Sequence, residues 1–234
     1  MHPPAFSVVI PTLNEERRIA PALAALLRLR PVPEIVVADG GSGDATLPRA
    51  RAFAGRGIRV LACSRRGRGP QMNEGAAIAR GTTLIFLHAD VQLPEDAFSR
   101  IEAALGDPAV VAGAFTTHTG RGEEAGRLAP LLRLADLRSR YTRLPYGDQA
   151  LFIRAERFRA LGGYAEIPLM EDLDLARRLR RVGKVVRLRA SVSVSGRRFW
   201  ARPVRAAVSM NLYPILFRLG LSPWLLARLY GHPR

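Results

Sequence analysis

Polar side chains follow three strand-like segments in the first half of the chain. Asn14 and Glu15 come after one apolar run, Asp39 follows the next, and Asp90 follows a later one. In an open parallel sheet, ligands bind beyond the carboxyl ends of the strands. We therefore expect these side chains to meet at one rim of a sheet and to bind a polar ligand there.

Aspartate and asparagine at such positions also have an ordinary structural explanation, because both residues cap helices and favour turns. Asp44 fits that explanation, since it precedes a segment with helical spacing. Asp39 does not, because it leaves its strand before two glycines rather than capping the helix after them. Asp39 is therefore the stronger ligand candidate of the two.

Alternating strand-like and helix-like segments must position these groups. The strand-like segments of the first 105 residues are apolar throughout, which is typical of a parallel sheet covered by helices on both faces. The sequence therefore predicts an α/β fold with a doubly wound, mostly parallel sheet. The predicted strands are 6–10, 34–38, 59–63 and 82–87, and the predicted helices are 15–29, 47–53, 72–79 and 94–105.

The second half is less regular and ends in an apolar tail. We predict one domain over residues 1–202, with halves at 6–105 and 106–202, followed by a helical tail at 203–234. The predicted strands of the second half are 110–117, 150–153 and 185–194, and its predicted helices are 126–144 and 171–182.

Composition narrows the classes of function. The 234 residues are 48% hydrophobic and 24% charged, which excludes a disordered, collagen-like or coiled-coil chain. Cys63 is the only cysteine, so the chain has no internal disulfide and no thiolate cluster for zinc, and a reducing cytoplasm is expected. The net charge is +16, and Lys184 is the only lysine among 36 basic residues. An arginine-rich surface favours binding of a polyanion, such as nucleic acid, an anionic lipid or a diphosphate substrate. Alternatively, the surplus reflects genome composition, and the arginines are simply solvated.

Several short motifs in this chain, taken in their order, resemble those of a family-two glycosyltransferase of GT-A fold. Each motif alone is weak, but together they extend over roughly residues 6–200. Within the family, the chain looks most like a small bacterial branch associated with arsenosugar biosynthesis. The motifs are SVVIPTLNE at 7–15, VADGGSGD at 37–44, NEGA at 73–76, HAD at 88–90, GGY at 162–164 and MEDLD at 170–174.

The resemblance implies that the donor substrate is a nucleotide diphospho-sugar. Asp39 would accept a hydrogen bond from the nucleotide base, which suits a carboxylate, since an ionised carboxylate only accepts. The remaining residues implied to line the nucleotide pocket are Pro11, Thr12, Asn14 and Glu15.

The resemblance also implies contacts to the donor phosphates and to a metal ion. Arg68 would face the phosphates, because guanidinium groups match phosphate oxygens, and Asn73 and His88 would complete the nucleotide-sugar-binding set. Asp90 would hold Mg²⁺ or Mn²⁺ bridging the diphosphate, which needs only one or two protein carboxylates. The family usually has Asp-x-Asp at this place, and its first aspartate usually contacts the ribose or a bound water. Because this chain has His88 instead of that aspartate, the ribose contact is in question. It is either a ligand or a packed residue at the end of its strand.

Asp172 is implied to be the catalytic base, which takes the proton from the acceptor hydroxyl during an inverting displacement. Glu171 and Asp172 also begin a predicted helix, where the helix dipole alone favours acidic residues. Asp174 is explained in that way, through pairing with Arg178 one turn later. Glu171 is expected to contact the sugar or the acceptor.

Two further pairs complete the predicted site. Asp148 and Gln149 resemble the stretch that presents acceptor-side groups, so they would contact the sugar or the acceptor. Arg197 and Arg198 lie where processive relatives carry Gln-x-x-Arg-Trp, and they would close over the departing diphosphate. The glutamine of that motif is missing here, so we predict non-processive transfer.

Two other classes of protein compete with this interpretation. A dinucleotide oxidoreductase needs a Gly-x-Gly-x-x-Gly turn after the first strand, where this chain has PTLNE. The +16 charge suggests, as the alternative, a non-catalytic nucleic-acid- or nucleotide-binding protein on an α/β scaffold. Its arginine clusters adjoin aromatic residues only at Phe199 and Trp200, so we expect no nucleic-acid partner.

The apolar tail raises the question of a membrane. Arginines interrupt it, as do Pro214 and Pro223, so it lacks the ~20 apolar residues of a spanning helix. Either it lies on an anionic membrane surface, where a lipid-linked acceptor would be found, or it packs on the catalytic domain or in a homodimer. We favour the first option, which makes the protein cytoplasmic and peripheral on the inner face of the membrane.

Overall fold

The computed structural model describes residues 4–120, 145–195 and 203–231. The predicted helix at 126–144 lies outside them. The strands in these ranges are β1 (Phe6–Thr12), β2 (Glu34–Asp39), β3 (Ile58–Ala62), β4 (Thr83–Phe86), β5 (Val91–Gln92), β6 (Val110–Gly120), β7 (Phe152–Arg154) and β8 (Lys184–Ser195). The helices are α1 (Ile19–Arg28), α2 (Thr46–Arg51), α3 (Arg68–Ile78), α4 (Ala97–Leu105), α5 (Ala155–Ala160), α6 (Glu171–Val182), α7 (Pro203–Arg218) and α8 (Pro223–Tyr230), with a 3-10 turn at Gly147–Gln149.

The eight strands of the described residues form one sheet in the order β3-β2-β1-β4-β7-β6-β8-β5. Strand β1 pairs in parallel with β2 and β4, and β2 pairs in parallel with β3, as the sequence predicts. Strand β7 is antiparallel to both of its neighbours, whereas β8 is parallel to β6. The register of β1 and β2 sets Thr12 beside Asp39 at their carboxyl ends.

Side chains of β1 enter two apolar cores on opposite faces of the sheet. Val8 packs in one core with Leu23 of α1 and Ile101 of α4, whereas Val9 packs in the other with Met72 of α3. Because helices cover both faces, residues pointing to either side must be apolar. This explains why the first-half strands lack the alternation of a half-exposed sheet.

Helix α3 lies unusually close to the sheet. A Cβ at Gly75 would lie 2.5 Å from Val9 Cγ1 and 3.3 Å from Ala38 Cβ, so any larger residue would push the helix away. The helix begins at Arg68, four residues before the predicted start at Met72. Proline is accepted in a first helical turn, where its missing N–H has no partner to lose, so Pro70 does not delay the start.

Helices α7 and α8 of the tail pack on α6. Tyr213 of α7 and Leu226 of α8 are buried in a cluster with Leu173 and Ala176 of α6. This contact agrees with the option in which the tail packs on the catalytic domain. It leaves another face of the tail exposed, with Leu219 and Trp224 on it, and membrane binding by that face stays a prediction.

The two tail prolines behave differently. Pro223 begins α8, where proline is favoured, but α7 continues through Pro214, so the expectation that Pro214 breaks the helix is wrong. An interior proline costs about 3 kcal/mol, which packing of the helix on α6 offsets.

Among the residues that the structure describes, no helix has the length and hydropathy needed to cross a bilayer.

Candidate functional site

Asp39 ends β2 and is fully buried. Thr12 Oγ1 donates to its Oδ1 at 3.1 Å, and the backbone N–H groups of Gly41 and Ser42 donate to its Oδ2 at 3.0 and 2.9 Å. The Ser42 hydroxyl also donates to Oδ1. The carboxylate therefore holds the Gly-Gly-Ser loop in shape, while its contact with a nucleotide base stays a prediction.

The loops after β1 and β2 are joined by hydrogen bonds. Asn14 adopts a positive φ of 55°, which asparagine tolerates better than most residues. Its Oδ1 accepts from Gly43 N–H at 2.9 Å, and its own N–H donates to Ser42 Oγ at 2.9 Å. The Glu15 N–H donates to Thr46 Oγ1 at 2.8 Å. The structure thus brings Asn14 and Glu15 to the rim that also carries Asp39, with Pro11 half-buried on β1 beside them.

Gln71 of α3 holds the ends of β1 and β2 together, and sequence reasoning missed it. Its amide nitrogen donates to Thr12 O at 2.7 Å and to Ala38 O at 2.8 Å. The side chain is so close to Gly40 that a Cβ there would lie 2.7 Å from Gln71 Cδ. A buried glutamine four residues before Gly75 has no recognisable sequence signal, since both bonds reach distant segments.

Asp90 follows β4, and its side chain is 9% exposed. Arg18 Nη1 lies 3.6 Å from Asp90 Oδ2, and Arg18 Nε lies 4.0 Å from Glu15 Oε2. The Arg18 guanidinium therefore connects the ends of β4 and β1. Sequence analysis did not single out Arg18, because one arginine among many carries no signal.

The acids at the rim fit a metal ion only in combination with a ligand. Among the described residues, no cluster of three or more histidine, cysteine, aspartate or glutamate side chains could hold a metal ion. Mg²⁺ commonly takes one or two protein carboxylates and completes its shell with water and substrate phosphates. Asp90 suits such a shared ion and not a closed protein site.

Three elements meet at Gly147. Its N–H donates to Asp172 Oδ2 at 2.7 Å. A Cβ at this position would lie 3.2 Å from His88 Nε2 and 3.4 Å from Asp172 Oδ2. The Leu173 N–H donates to the other carboxylate oxygen, Oδ1, at 2.8 Å. His88 from the turn after β4 and Asp172 from the start of α6 therefore face the same backbone position.

Glu171 precedes Asp172 and forms an ion pair with Arg68. Arg68 Nη2 lies 2.8 Å from Glu171 Oε1, and the Glu171 side chain is 3% exposed. Burial raises the pKa of Glu171 to about 7; Arg68 opposes this rise and Asp172 adds to it. Glu171 in turn raises the pKa of Arg68. A side chain this buried presents little surface to an acceptor.

The remaining predicted residues support the backbone or lie nearby. Asn73 Nδ2 donates to Tyr164 O at 2.9 Å and Asn73 Oδ1 accepts from Tyr164 N–H at 2.8 Å, so its amide holds the GGY turn. Gln149 Oε1 accepts from Tyr146 N–H at 3.3 Å, and Asp148 lies half-buried on the same 3-10 turn. Arg197 and Arg198 lie outside the described residues.

Two acids that the sequence assigns to local structure behave as expected. Asp44 Oδ1 accepts from Thr46 N–H at 2.9 Å at the start of α2. Asp174 pairs with Arg178 one helical turn later, with Nε 2.8 Å from Oδ2. Both positions are thus explained without a ligand.

The sequence profile described as Glycosyl transferase family 2 matches residues 7–161, which is more than half of the chain. The chain belongs to glycosyl transferase family 2. The resemblance seen in the ordered motifs is therefore confirmed at the level of the family.

Curated relatives of this family-2 chain are longer proteins. A PGL/p-HBAD biosynthesis glycosyltransferase of Mycobacterium tuberculosis is 38% identical over 112 residues, 46% of this chain and 44% of that protein. The succinoglycan biosynthesis protein ExoA of Rhizobium meliloti is 32% identical over 197 residues, 75% of this chain and 58% of that protein. A dodecaprenyl-phosphate galacturonate synthase of Rhizobium johnstonii is 33% identical over 95 residues, 37% and 28% of the two chains. The chain spans about half the length of the first two relatives.

Solved structures show that the family-2 chain has the GT-A fold. The mannosyltransferase PcManGT from Pyrobaculum calidifontis, in complex with GDP-Man and Mn²⁺, has a TM-score of 0.71 at 18% identity, covering 98% of this chain and 68% of that one. Residues 1–349 of S. aureus TarS, in complex with UDP-GlcNAc, have a TM-score of 0.65 at 18% identity, covering 96% and 70%. The doubly wound architecture expected from the sequence is confirmed.

The contacts of Asp39 predict that Asp39→Asn destabilises the protein. An amide would turn an N–H₂ group towards N–H and O–H donors, so we expect the free energy of unfolding to fall by about 1–3 kcal/mol. Urea denaturation followed by circular dichroism measures this change. Asp96→Asn is the matched control, because Asp96 pairs with Arg100 on the surface, where an ion pair adds little to stability. Equal stability of both variants would show that Asp39 does not hold the loop.

Proposed function

We propose that this chain is the catalytic part of an inverting, non-processive glycosyltransferase, which moves a sugar from a nucleotide diphospho-sugar to an acceptor hydroxyl. The observation that carries the proposal is the meeting of His88 and Asp172 at Gly147. It joins the turn that contains Asp90, on the donor side, to the helix that begins with the implied base. Family membership and the GT-A fold support the class of reaction.

Asp172 is the group that accepts the proton. As the acceptor oxygen forms its bond to the anomeric carbon, its proton passes to Asp172, and the bond from that carbon to the diphosphate oxygen breaks on the opposite face. The configuration at the anomeric carbon therefore inverts. Each Asp172 oxygen already accepts one backbone N–H, from Gly147 or Leu173, which fixes the carboxylate while leaving it lone pairs for the acceptor proton.

Residues at the rim would bind the donor. Pro11, Thr12, Asn14 and Glu15 lie around the end of β1, where ligands bind in a parallel sheet. Asp39 is close enough to shape this pocket through the loop that it holds, and its contact to the nucleotide base is part of the proposal.

Asp90 would hold Mg²⁺ or Mn²⁺ together with the donor phosphates, and His88 lies two residues before it on the same turn. Such an ion, when bound, neutralises charge that develops on the leaving diphosphate. Arg68 supplies positive charge from the start of α3, and Arg197 and Arg198 are proposed to add to it. Strand β8, which comes just before Arg197 and Arg198 in the chain, ends next to the turn that contains Asp90, because Ser195 N–H donates to Asp90 O at 3.1 Å.

The acceptor is proposed to be lipid-linked, with Asp148 and Gln149 on its side of the site. One relative, the dodecaprenyl-phosphate galacturonate synthase, has a lipid phosphate in its name. The tail of this chain adds a physical reason. Leu219 is 79% exposed, Trp224 63% and Leu229 57%, and Arg218 and Arg228 lie exposed among them. Apolar side chains flanked by arginine suit an anionic membrane surface, so we propose peripheral attachment to the inner face of the membrane.

The assignment of the base predicts that Asp172→Asn lowers the rate of donor hydrolysis by about 10²-fold or more, because an amide cannot accept the proton. The measurement is nucleotide release from UDP-glucose, UDP-GlcNAc and GDP-mannose with Mn²⁺ and without acceptor, where water replaces the acceptor hydroxyl. Asp174→Asn is the control, since Asp174 lies in the same helical turn but pairs with Arg178. Retention of more than a tenth of the wild-type rate by Asp172→Asn contradicts the assignment.

The role of Asp90 predicts dependence on a divalent ion. Asp90→Ala and treatment of the wild type with EDTA should each abolish turnover. Thermal unfolding gives a second readout, because UDP or GDP should raise the melting temperature of the wild type only with Mn²⁺, and that of Asp90→Ala not at all. Asp96→Ala, which removes an exposed acid, should behave as the wild type. Full activity in excess chelator refutes the metal role, and stabilisation by short DNA instead of nucleotides supports the nucleic-acid alternative.

The exposed face of the tail predicts binding to anionic vesicles. Wild-type protein should sediment with phosphatidylglycerol liposomes at low salt, and the double variant Leu219→Glu/Trp224→Glu should stay in the supernatant. Both substitutions spare the buried contacts with α6. Val32→Glu is the control, because Val32 is also an exposed apolar residue but does not belong to the tail; it lies between α1 and β2. Wild-type protein that stays in the supernatant would contradict membrane binding and would favour another protein, or a second copy of this chain, as the partner of the exposed face.

A further inference from the structure

The amino termini of α3 and α6 face each other, and one ion pair joins them. Arg68 is the first residue of α3 and Glu171 the first residue of α6, with Nη2 and Oε1 2.8 Å apart. The approach is close, because a Cβ at Gly69 would lie 2.8 Å from Ala165 O and 3.7 Å from Glu171 Cβ. The pair therefore connects the donor-side helix to the helix that carries Asp172.

Glu171 is an unusual partner for a structural ion pair. Its second oxygen, Oε2, is buried without a hydrogen-bond partner among the described residues. An apolar cavity lined by Met72, Phe86 and Leu151 borders Glu171 and Asp172. A carboxylate with one unpaired oxygen against an apolar wall is costly, so its charge needs a reason other than packing.

Charged and titratable groups face this pair from every neighbouring element. Asp172 lies beside Glu171 on α6, and Arg68 also lies within electrostatic range of Asp172, of Asp148 on the 3-10 turn and of Tyr230 on α8. Tyr164 of the GGY turn lines the same cavity. Arg68 thus has two further carboxylates nearby, and Glu171 is the one that holds its guanidinium.

A second arginine–glutamate pair joins the same two segments at the surface. Arg65, three residues before Arg68, lies with Nη1 2.5 Å from Glu166 Oε1, five residues before Glu171. Both side chains are about half exposed, at 52% and 54%. This exposed pair bridges the same two segments as the buried pair, so Glu166 provides a matched control for Glu171.

We infer that Glu171 is a positioning residue, which keeps Arg68 on the donor side and thereby leaves the Asp172 carboxylate free to take the acceptor proton. This inference rests on the proposed function. Without the Glu171 charge, the carboxylates that remain within electrostatic range of Arg68 are Asp172 and Asp148. A guanidinium that moves onto Asp172 occupies the lone pairs that the proton needs, so the chemical step slows while donor binding persists. Glu171 thus acts through Arg68 and does not touch the acceptor.

The variant Glu171→Gln tests this role, because it keeps size and hydrogen-bonding capacity but removes the charge. In donor hydrolysis without acceptor at pH 8, kcat should fall by about 10- to 100-fold, with the donor KM within about twofold of the wild-type value. Glu166→Gln, which breaks the surface pair, should leave both constants unchanged. Arg68→Gln is the second variant, and adding Glu171→Gln to it should cause little further loss, since the effect passes through Arg68.

The pH profile gives a readout that a merely structural role would not change. With a pKa of about 7, Glu171 loses its charge as the pH falls, so the wild-type enzyme should approach the rate of Glu171→Gln. The rate of the wild type divided by the rate of Glu171→Gln should therefore fall as the pH is lowered from 8 to 6. The rate of Arg68→Gln should not show the loss of activity that the wild type shows over this range. The same ratio for Glu166→Gln should stay at one throughout.

The failures of the two hypotheses are distinguishable. A wild-type protein that hydrolyses no nucleotide sugar refutes the proposed function, and the inference with it. An active wild type whose Glu171→Gln variant matches Glu166→Gln refutes the inference alone. Glu171→Gln that retains hydrolysis but loses transfer to an acceptor would instead make Glu171 an acceptor contact, which also overturns the inference.

Discussion

The candidate site depends on the close contact between helix α3 and the sheet, which only a glycine at position 75 allows. From that position, three other residues of the helix each reach a different part of the site. Gln71 bonds to the ends of β1 and β2, Asn73 holds the GGY turn through Tyr164, and Arg68 pairs with Glu171. A helix held one ångström further out would loosen all three contacts together, because hydrogen bonds weaken steeply with distance.

Buried polar groups at the rim are satisfied mainly by backbone N–H and hydroxyl groups. Asp39 accepts from Thr12, Gly41 and Ser42, and Asp172 accepts from Gly147 and Leu173. Backbone donors cost no side-chain entropy and do not titrate, so they fix a carboxylate without pairing it with a second charge. Glu171 differs, since its main partner is the charged side chain of Arg68. The site therefore contains one acid held by peptide groups, Asp172, beside one held by a cation.

The sequence predicted those features that depend on local periodicity and motif order. Apolar strand runs predicted the parallel first half, and the helical spacing of Leu175, Leu179 and Val182 predicted the helix that begins at Glu171. Contacts between distant segments were beyond that reasoning, because they depend on strand order and on the packing of α3. Gly147 and Asp172 are 25 residues apart, and nothing in either local pattern connects them. Strand β5 has only two residues, which is too short for a periodic pattern of apolar residues to be recognised in the sequence. At Pro214, tertiary packing overrides the local preference of proline for breaking a helix.

Helix α6 links the sheet to the tail. Its Leu175 and Leu179 pack in the core against the sheet, whereas Leu173 and Ala176 pack against α7 and α8. An amphipathic surface helix has a single apolar stripe, so two buried faces identify α6 as an interior layer with the tail outside it. The tail also reaches the site, because Tyr230, the last residue of α8, lies within electrostatic range of Arg68, which pairs with Glu171 at the start of α6. If the exposed face of the tail binds a membrane as proposed, α6 and the tail together would set the membrane beside the end of the site where α6 begins, because the buried side of the same tail packs on that helix.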